Sequence, residues 1–260
     1  MDSGHSVLCQ SHLISDHTVR LLVSVKNAVE AGIALDCGVS ILDVKAPQRG
    51  PLGRPSNEIL EQVSAIPTVE SIDRSVACGE LSELIDDAAE CPSLPINFKY
   101  FKLGLSDLAN NDNWPELWAS QIQRFAGTTP VAVAYADFQQ CAAPHPESIM
   151  SVGKQLGCQF FLVDTFSKLE NKNIFSYAPE PTLTRWIEKA KILGMNTVVA
   201  GSIMQKDVKR CVTMAPDYIG VRGAVCSMGR GSNLQRDKLV ELVDHLQKCN
   251  QGEQQNKRCC

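Results

Sequence analysis

With 260 residues, 44% hydrophobic and 21% charged, the chain can bury a sizeable core as a single domain, which excludes a disordered polymer. A formal net charge of -4, with both signs dispersed, excludes the basic stripe that follows a nucleic-acid backbone. No apolar run reaches the roughly 20 residues of a membrane helix and residues 1–10 lack a secretion signal, so a cytoplasmic protein with no nucleic-acid or membrane partner is expected.

In chain order, short apolar runs suited to strands fall at 20–25, 40–45, 75–78, 100–105, 131–136, 160–164, 197–200 and 218–221. Between them lie segments of helical period, among them 27–35, 81–89, 114–125, 146–156, 183–193 and 205–214, several closed by glycine. Runs such as LLVSV, VAVAY and TVVAG are apolar on both faces, as parallel strands covered on both sides must be. An open doubly wound sheet would carry a glycine-rich phosphate loop after its first strand, and VSVKNAVEAG has none. The expected fold is therefore α/β, a single (β/α)8 TIM barrel over 19–248, with an N-terminal extension, 1–18, and a polar C-terminal tail, 249–260.

Eleven cysteines in a core-rich chain without a secretion signal read as reduced, mostly buried thiols. They lack C-x-x-C spacing and the five histidines stand apart from them, so no metal is expected. Cys259 and Cys260 end the tail, but a C-a-a-X box needs cysteine where Lys257 stands. His145, between Pro144 and Pro146, is placed in a loop without a triad partner, and Trp114, Trp118, Trp186, Cys78 and Cys226 are assigned to packing.

Several strands end in charges that the apolar pattern does not require: Asp43 and Lys45, Lys102, Asp137, and Asp164 with Lys168 just beyond. In a barrel the C-terminal ends of all strands open on one face, so these side chains converge. Asp43 and Lys45 share a strand face because side chains repeat with period two. A desolvated lysine loses its proton, attacks a carbonyl and makes an iminium that serves as an electron sink, while a second lysine moves protons. The competing structural reading is an ion-pair network that closes the mouth. Opposite, Gly201, Ser202, Arg222, Gly223 and Ala224 follow the last two strands, where barrels hold phosphate on backbone N–H groups. The Gly- and Pro-rich stretch 47–57 after the second strand is a candidate lid or substrate-binding loop.

The segments LLVSVKNAVEA, ILDVKAPQRGPLG, FKLGL, VAVAYADF, LVDTFSK and IGVRGAVC together resemble the (5-formylfuran-3-yl)methyl phosphate synthase family of methanofuran biosynthesis, from about residue 20 to 246. The D-V-K-x-P-x-x-G-x-L-G stretch from Asp43 to Gly53 is the most specific piece. The resemblance implies a carbon-oxygen lyase acting on phosphates, which condenses two glyceraldehyde 3-phosphate molecules with loss of water and one phosphate. It implies no cofactor, a Schiff-base lysine at Lys45, a proton-accepting lysine at Lys102, supporting roles for Asp43, Asp164 and Lys168, and a homo-oligomer. The chain departs from the family in its N-terminal lead, in the polar stretches 110–113 and 171–173 and in its cysteine-ended tail. Another Schiff-base aldolase on triose phosphates, or a barrel that only binds phosphorylated metabolites, would use the same residues.

Overall fold

Each of the eight apolar runs forms a strand: β1 (Arg20–Val25), β2 (Ile41–Val44), β3 (Asp73–Glu80), β4 (Tyr100–Gly104), β5 (Thr129–Tyr135), β6 (Phe160–Asp164), β7 (Asn196–Val199) and β8 (Tyr218–Val221). In this computed structural model, which describes residues 17–67, 72–86, 94–125, 127–169 and 171–258, the strands pair in parallel in chain order and β8 returns to β1, closing a barrel. The helices are α1 (Ala28–Asp36), α2 (Asn57–Ser64), α3 (Leu81–Asp86), α4 (Trp114–Gln123), α5 (Pro146–Gln155), α6 (Glu180–Ile192), α7 (Val208–Thr213) and α8 (Arg236–Arg258). Among the described residues no helix is long and apolar enough to cross a membrane. The expectations placed on residues 1–16, on 87–89 and on Cys259 and Cys260 lie outside the described residues.

Alternation along the strands sorts the side chains into two cores. Val23 of β1, Leu42 and Val44 of β2, Phe101 and Leu103 of β4, and Ala132 and Ala134 of β5 pack outward against the helices. Leu22, Ile41, Tyr100, Val131, Val133, Phe160, Leu162, Val198 and Tyr218 form a second cluster inside the barrel. Its floor is aromatic: Tyr100 meets Phe160 edge-on at 4.8 Å, Phe160 lies 5.7 Å from Tyr218, and the Arg20 guanidinium caps the Tyr218 ring at 4.2 Å. Fully burying a side chain of this size is worth about 1.5–3 kcal/mol, so the N-terminal half of the barrel is a sealed apolar plug. Polar groups have room only at the C-terminal ends of the strands.

Three features depart from expectation. β3 runs on to Glu80 because Gly79, at φ +91, bends it through an irregularity between Ala77 and Glu80, and this carries a carboxylate to the mouth. α2 and α8 were not among the helices named from the sequence. The stretch expected to begin a solvated tail at 249 instead continues α8 through Arg258. There Asn250 accepts from the backbone N–H of Val19 at 3.1 Å and donates to its carbonyl at 2.9 Å, which staples the last helix to the start of β1.

α5 lies so close to β5 that a Cβ at Gly153 would come within 2.7 Å of the Ala132 Cβ and 3.1 Å of the Trp118 ring. Ala in place of Gly gains up to about 1 kcal/mol in an open helix, whereas overpacking costs about 1–3 kcal/mol. Gly153→Ala is therefore expected to lower stability. Urea denaturation checks the sign, and a stabilised variant would show that the contact has slack.

Candidate active site

Because Ile41 points into the barrel, Asp43 and Lys45 do too, and Tyr100 brings Lys102 to the same level from β4. Asp164 ends β6, and the non-helical loop that follows turns Lys168 back to it. These five line one cavity of 1220 Å3, together with Gly201, Ser202, Gly223 and Ala224 from the loops after β7 and β8. The convergence expected from strand-end placement is thus present for Asp43, Lys45, Lys102, Asp164 and Lys168.

The charges are unevenly matched. Asp43, only 1% exposed, accepts from Ser24 at 2.9 Å and Ser75 at 2.7 Å and is ion-paired with Lys102, itself 2% exposed. Burial alone would push Asp43 up, but the Lys102 ammonium, then Lys45, and the hydrogen bonds from Lys102 and Ser75 hold its carboxyl below the usual range. Asp164 accepts from Lys168 at 2.7 Å and from the Thr165 N–H at 2.7 Å. Burial again opposes, yet Lys168 and then Lys45 keep Asp164 down at about 2. Lys45 makes no ion pair among the described residues. Burial pushes its amine down to about 7, with the more distant carboxylates Asp164 and Asp43 opposing and Lys168 and Lys102 reinforcing. Two lysines are thus tied to carboxylates and the third is an unpaired, partly neutral amine.

The stretch after β2 is held in place by main-chain bonds. Residues 47–49 form a single 3-10 turn, Ala46 N–H donates to the Gly53 carbonyl at 2.8 Å, and Gly79 N–H holds the Leu52 carbonyl at 2.9 Å. Leu52 is thereby turned into the barrel mouth, where it joins the interior cluster. Gly53 is required here, since a Cβ would collide with the Ala46 carbonyl oxygen. Across the cavity, Gly201 sits at φ +103 with Ile174 and Thr165 3.0 Å from where a Cβ would stand, and Ser202 holds a left-handed conformation at φ +54.

Two expectations need correction. Asp137 does not face the cavity: its carboxylate accepts from Phe166 N–H at 2.7 Å and Ser167 N–H at 2.8 Å, fixing the loop that carries Lys168. Arg222 is not a free anion ligand. It is 5% exposed, donates to Glu30 at 2.8 Å, and binds the carbonyls of Ser24, Arg230 and Ser232 at 3.0, 2.5 and 3.1 Å. Gly223 and Ala224 offer backbone groups at that loop, and Arg230 further along it also lines the cavity.

Sequence reading also missed a polar pair beneath the cavity. Glu80 accepts from Tyr135 Oη at 2.5 Å and from Ser106 N–H at 3.1 Å, and Gly104 leaves room for it, since a Cβ there would collide with the carboxylate. Burial pushes the Glu80 carboxyl up, which the Tyr135 and Ser106 hydrogen bonds only partly offset. Burial, and then the Glu80 charge, push Tyr135 far above its usual value. Glycine inside a strand run was the available signal. His145 is an N-cap, accepting from Glu147 N–H at 3.2 Å, and Trp118, Trp186, Cys78 and Cys226 are buried as assigned.

Comparison with known proteins places this geometry in context. The profile described as 4-HFC-P synthase matches residues 21–243. Over 235 residues the chain is 28% identical to the (5-formylfuran-3-yl)methyl phosphate synthase of Methanosarcina mazei, covering 88% of this chain and 100% of that one. It is 28% identical over 233 residues to the enzyme of the same name from Methanocaldococcus jannaschii, covering 87% and 97%. Among solved structures, phosphoribosyl anthranilate isomerase from Thermus thermophilus superposes with a TM-score of 0.57 at 16% identity, over 88% of this chain and 99% of that one. 3-Hexulose-6-phosphate synthase from Salmonella typhimurium does so at 0.51 and 16%, over 87% and 100%. These two likenesses are of fold.

An unpaired amine near 7 stands apart from ordinary lysines, whose unperturbed value is about 10.4. Pulse acetylation followed by peptide mass spectrometry is expected to label Lys45 with a midpoint near pH 7, rising as pH rises and the proton leaves. Asp43→Asn removes a charge that raises the Lys45 value, so the midpoint is expected to move lower. A midpoint shared with the exposed lysines would contradict this assignment.

Proposed function

We propose that this chain, which belongs to the 4-HFC-P synthase family, condenses two glyceraldehyde 3-phosphate molecules through a Schiff base on Lys45, releasing water and one phosphate. The observation that carries the reading is the Lys45 amine, buried in the cavity, without an ion pair among the described residues and brought down to about 7. At neutral pH a substantial fraction of such an amine is unprotonated and can attack an aldehyde carbon. Loss of water gives an iminium, which acidifies the neighbouring C–H, and the resulting enamine forms the carbon–carbon bond to the second aldehyde.

The remaining groups divide the proton work. Lys102 rests as the ammonium partner of Asp43, so its first act is to donate, for instance to a departing hydroxyl, after which it can accept the proton taken from carbon. Lys168 on Asp164 is a second ammonium across the cavity, suited to the charge of an oxyanion or phosphate. The backbone N–H groups around Gly201, Ser202, Gly223 and Ala224 are suited to seat the phosphate, as glycine lets backbone approach an anion closely. The cavity, at 1220 Å3, exceeds the volume of a typical small-ligand pocket and so has room for two triose phosphates at once.

Borohydride reduction in the presence of glyceraldehyde 3-phosphate, followed by peptide mass spectrometry, is expected to place the adduct on Lys45. Trapping should accelerate as pH rises through about 7, because the attacking form is the neutral one. Lys45→Ala is expected to lower furan formation, read by ultraviolet absorbance, by a factor on the order of 10³ or more. Near-normal turnover in that variant removes the reading. Lys102→Met should still form the adduct while product formation falls by about 10²–10⁴.

A further inference from the structure

The loop after β8 presents two arginines to the mouth, and they are in opposite states. Arg222 has all three side-chain nitrogens engaged, with Glu30 and three backbone carbonyls. Glu30 in turn accepts from the Lys26 N–H at 2.9 Å and the Leu234 N–H at 3.1 Å, so the pair ties β1, α1 and the segment leading to α8 into one strut. The Arg222 Nε ends on the Arg230 carbonyl, which fixes the backbone of Arg230 over the cavity. Arg230 itself, partly buried, donates from Nη2 to the Gly50 carbonyl at 2.8 Å, in the cover that follows β2. It makes no ion pair among the described residues, and its other nitrogens are not sealed in protein, since none is among the buried polar atoms left without a partner. It lines the same cavity as Lys45, Asp164 and Lys168.

We propose that Arg230, not Arg222, is the side chain that recognises the substrate's phosphate, and that its hold on Gly50 couples phosphate binding to closure of the 47–55 cover over Lys45. A planar guanidinium can give one edge to Gly50 and another to a phosphate at once, which an ammonium cannot do with fixed geometry. A partly buried cation with no ion pair, Asp164 acting on it only from a distance, leaves a charge to be matched, and a dianionic phosphate matches it. Gly223 is close to its backbone, since a Cβ there would stand 3.9 Å from the Arg230 main-chain nitrogen, and Gly223, Ala224 and Arg230 line the same cavity. The consequence is selectivity for phosphorylated aldehydes, because the phosphate that seats the substrate also settles the loop on which Lys45 begins.

The inference rests on the Schiff-base reading, and the test separates the two. Borohydride trapping on Lys45 is measured with glyceraldehyde 3-phosphate and with glyceraldehyde, in the wild type, Arg230→Ala and Arg230→Lys, and the ratio of the two trapping efficiencies is compared. The expected result is a fall of about 10- to 100-fold in that ratio for Arg230→Ala, the range for a lost charge-assisted hydrogen bond, and partial recovery in Arg230→Lys. A ratio within about twofold of wild type in Arg230→Ala overturns the proposal. Should the wild type trap neither aldehyde, the Schiff-base reading fails and inorganic phosphate decides the role of Arg230. Protection by phosphate against thermal unfolding, seen in the wild type and lost in Arg230→Ala, then sustains phosphate recognition, while equal protection in both or none in either overturns it. If Arg230→Ala does not fold, Arg230→Gln, which keeps a donor for Gly50, takes its place in both measurements.

Discussion

Charge burial at one end of a closed barrel is the constraint to which the rest of the structure answers. The aromatic plug of Tyr100, Phe160 and Tyr218 seals the far end, so the strand-end charges share a space with few polar partners besides each other. Unpaired, each would cost several kcal/mol in such a place, and the two carboxylates Asp43 and Asp164 can satisfy only so many cations. Lys102 and Lys168 take them directly. Lys45, third in line, is left with burial as the largest influence, and neutrality is the cheaper state for part of its population at neutral pH. Its reactivity is thus a property of the whole set rather than of one contact.

The ion-pair network that competes with catalysis as an explanation is therefore also what prepares it. Asp43 and Asp164 attract a positive charge at Lys45 and lie too far to bond its amine, a combination that suits a nitrogen that must be neutral to attack and cationic as an iminium. Two serines complete Asp43, from β1 and β3, so the carboxylate is held by three strands before any substrate arrives. Such preorganisation is worth more than any single bond because nothing must reorient at the moment charge develops.

The barrel was legible because its strands are apolar on both faces, a pattern that local sequence carries in full, and the strand-end charges followed from period two and the common polarity of parallel strands. What escaped depended on partners distant in sequence. Arg222 read as a phosphate ligand since its position is right, and nothing near it in the chain reveals Glu30, 192 residues earlier. Asp137 read as a sixth member of the cluster, yet two N–H groups of the loop after β6 claim it. α8 escaped because its polar sequence from Gln251 onward resembles a solvated tail, whereas Asn250, Glu253 and Gln254 bond Val19, Thr213 and Thr18 across the fold. Arg230 stands in Met-Gly-Arg-Gly, which reads as loop whether or not its guanidinium reaches Gly50.

Glu80 shows how far the same constraint extends. It ends β3 one bulge beyond the apolar run, and β4 accommodates it with Gly104, whose absent side chain leaves the space the carboxylate fills. No cation meets it among the described residues; its partners are a tyrosine hydroxyl and a backbone N–H. That is why its carboxyl is pushed up while Asp43 and Asp164, which are no less buried, are held down. These three carboxylates therefore divide by what donates to them, two as counter-ions for lysines and one as a hydrogen-bond acceptor braced by Tyr135.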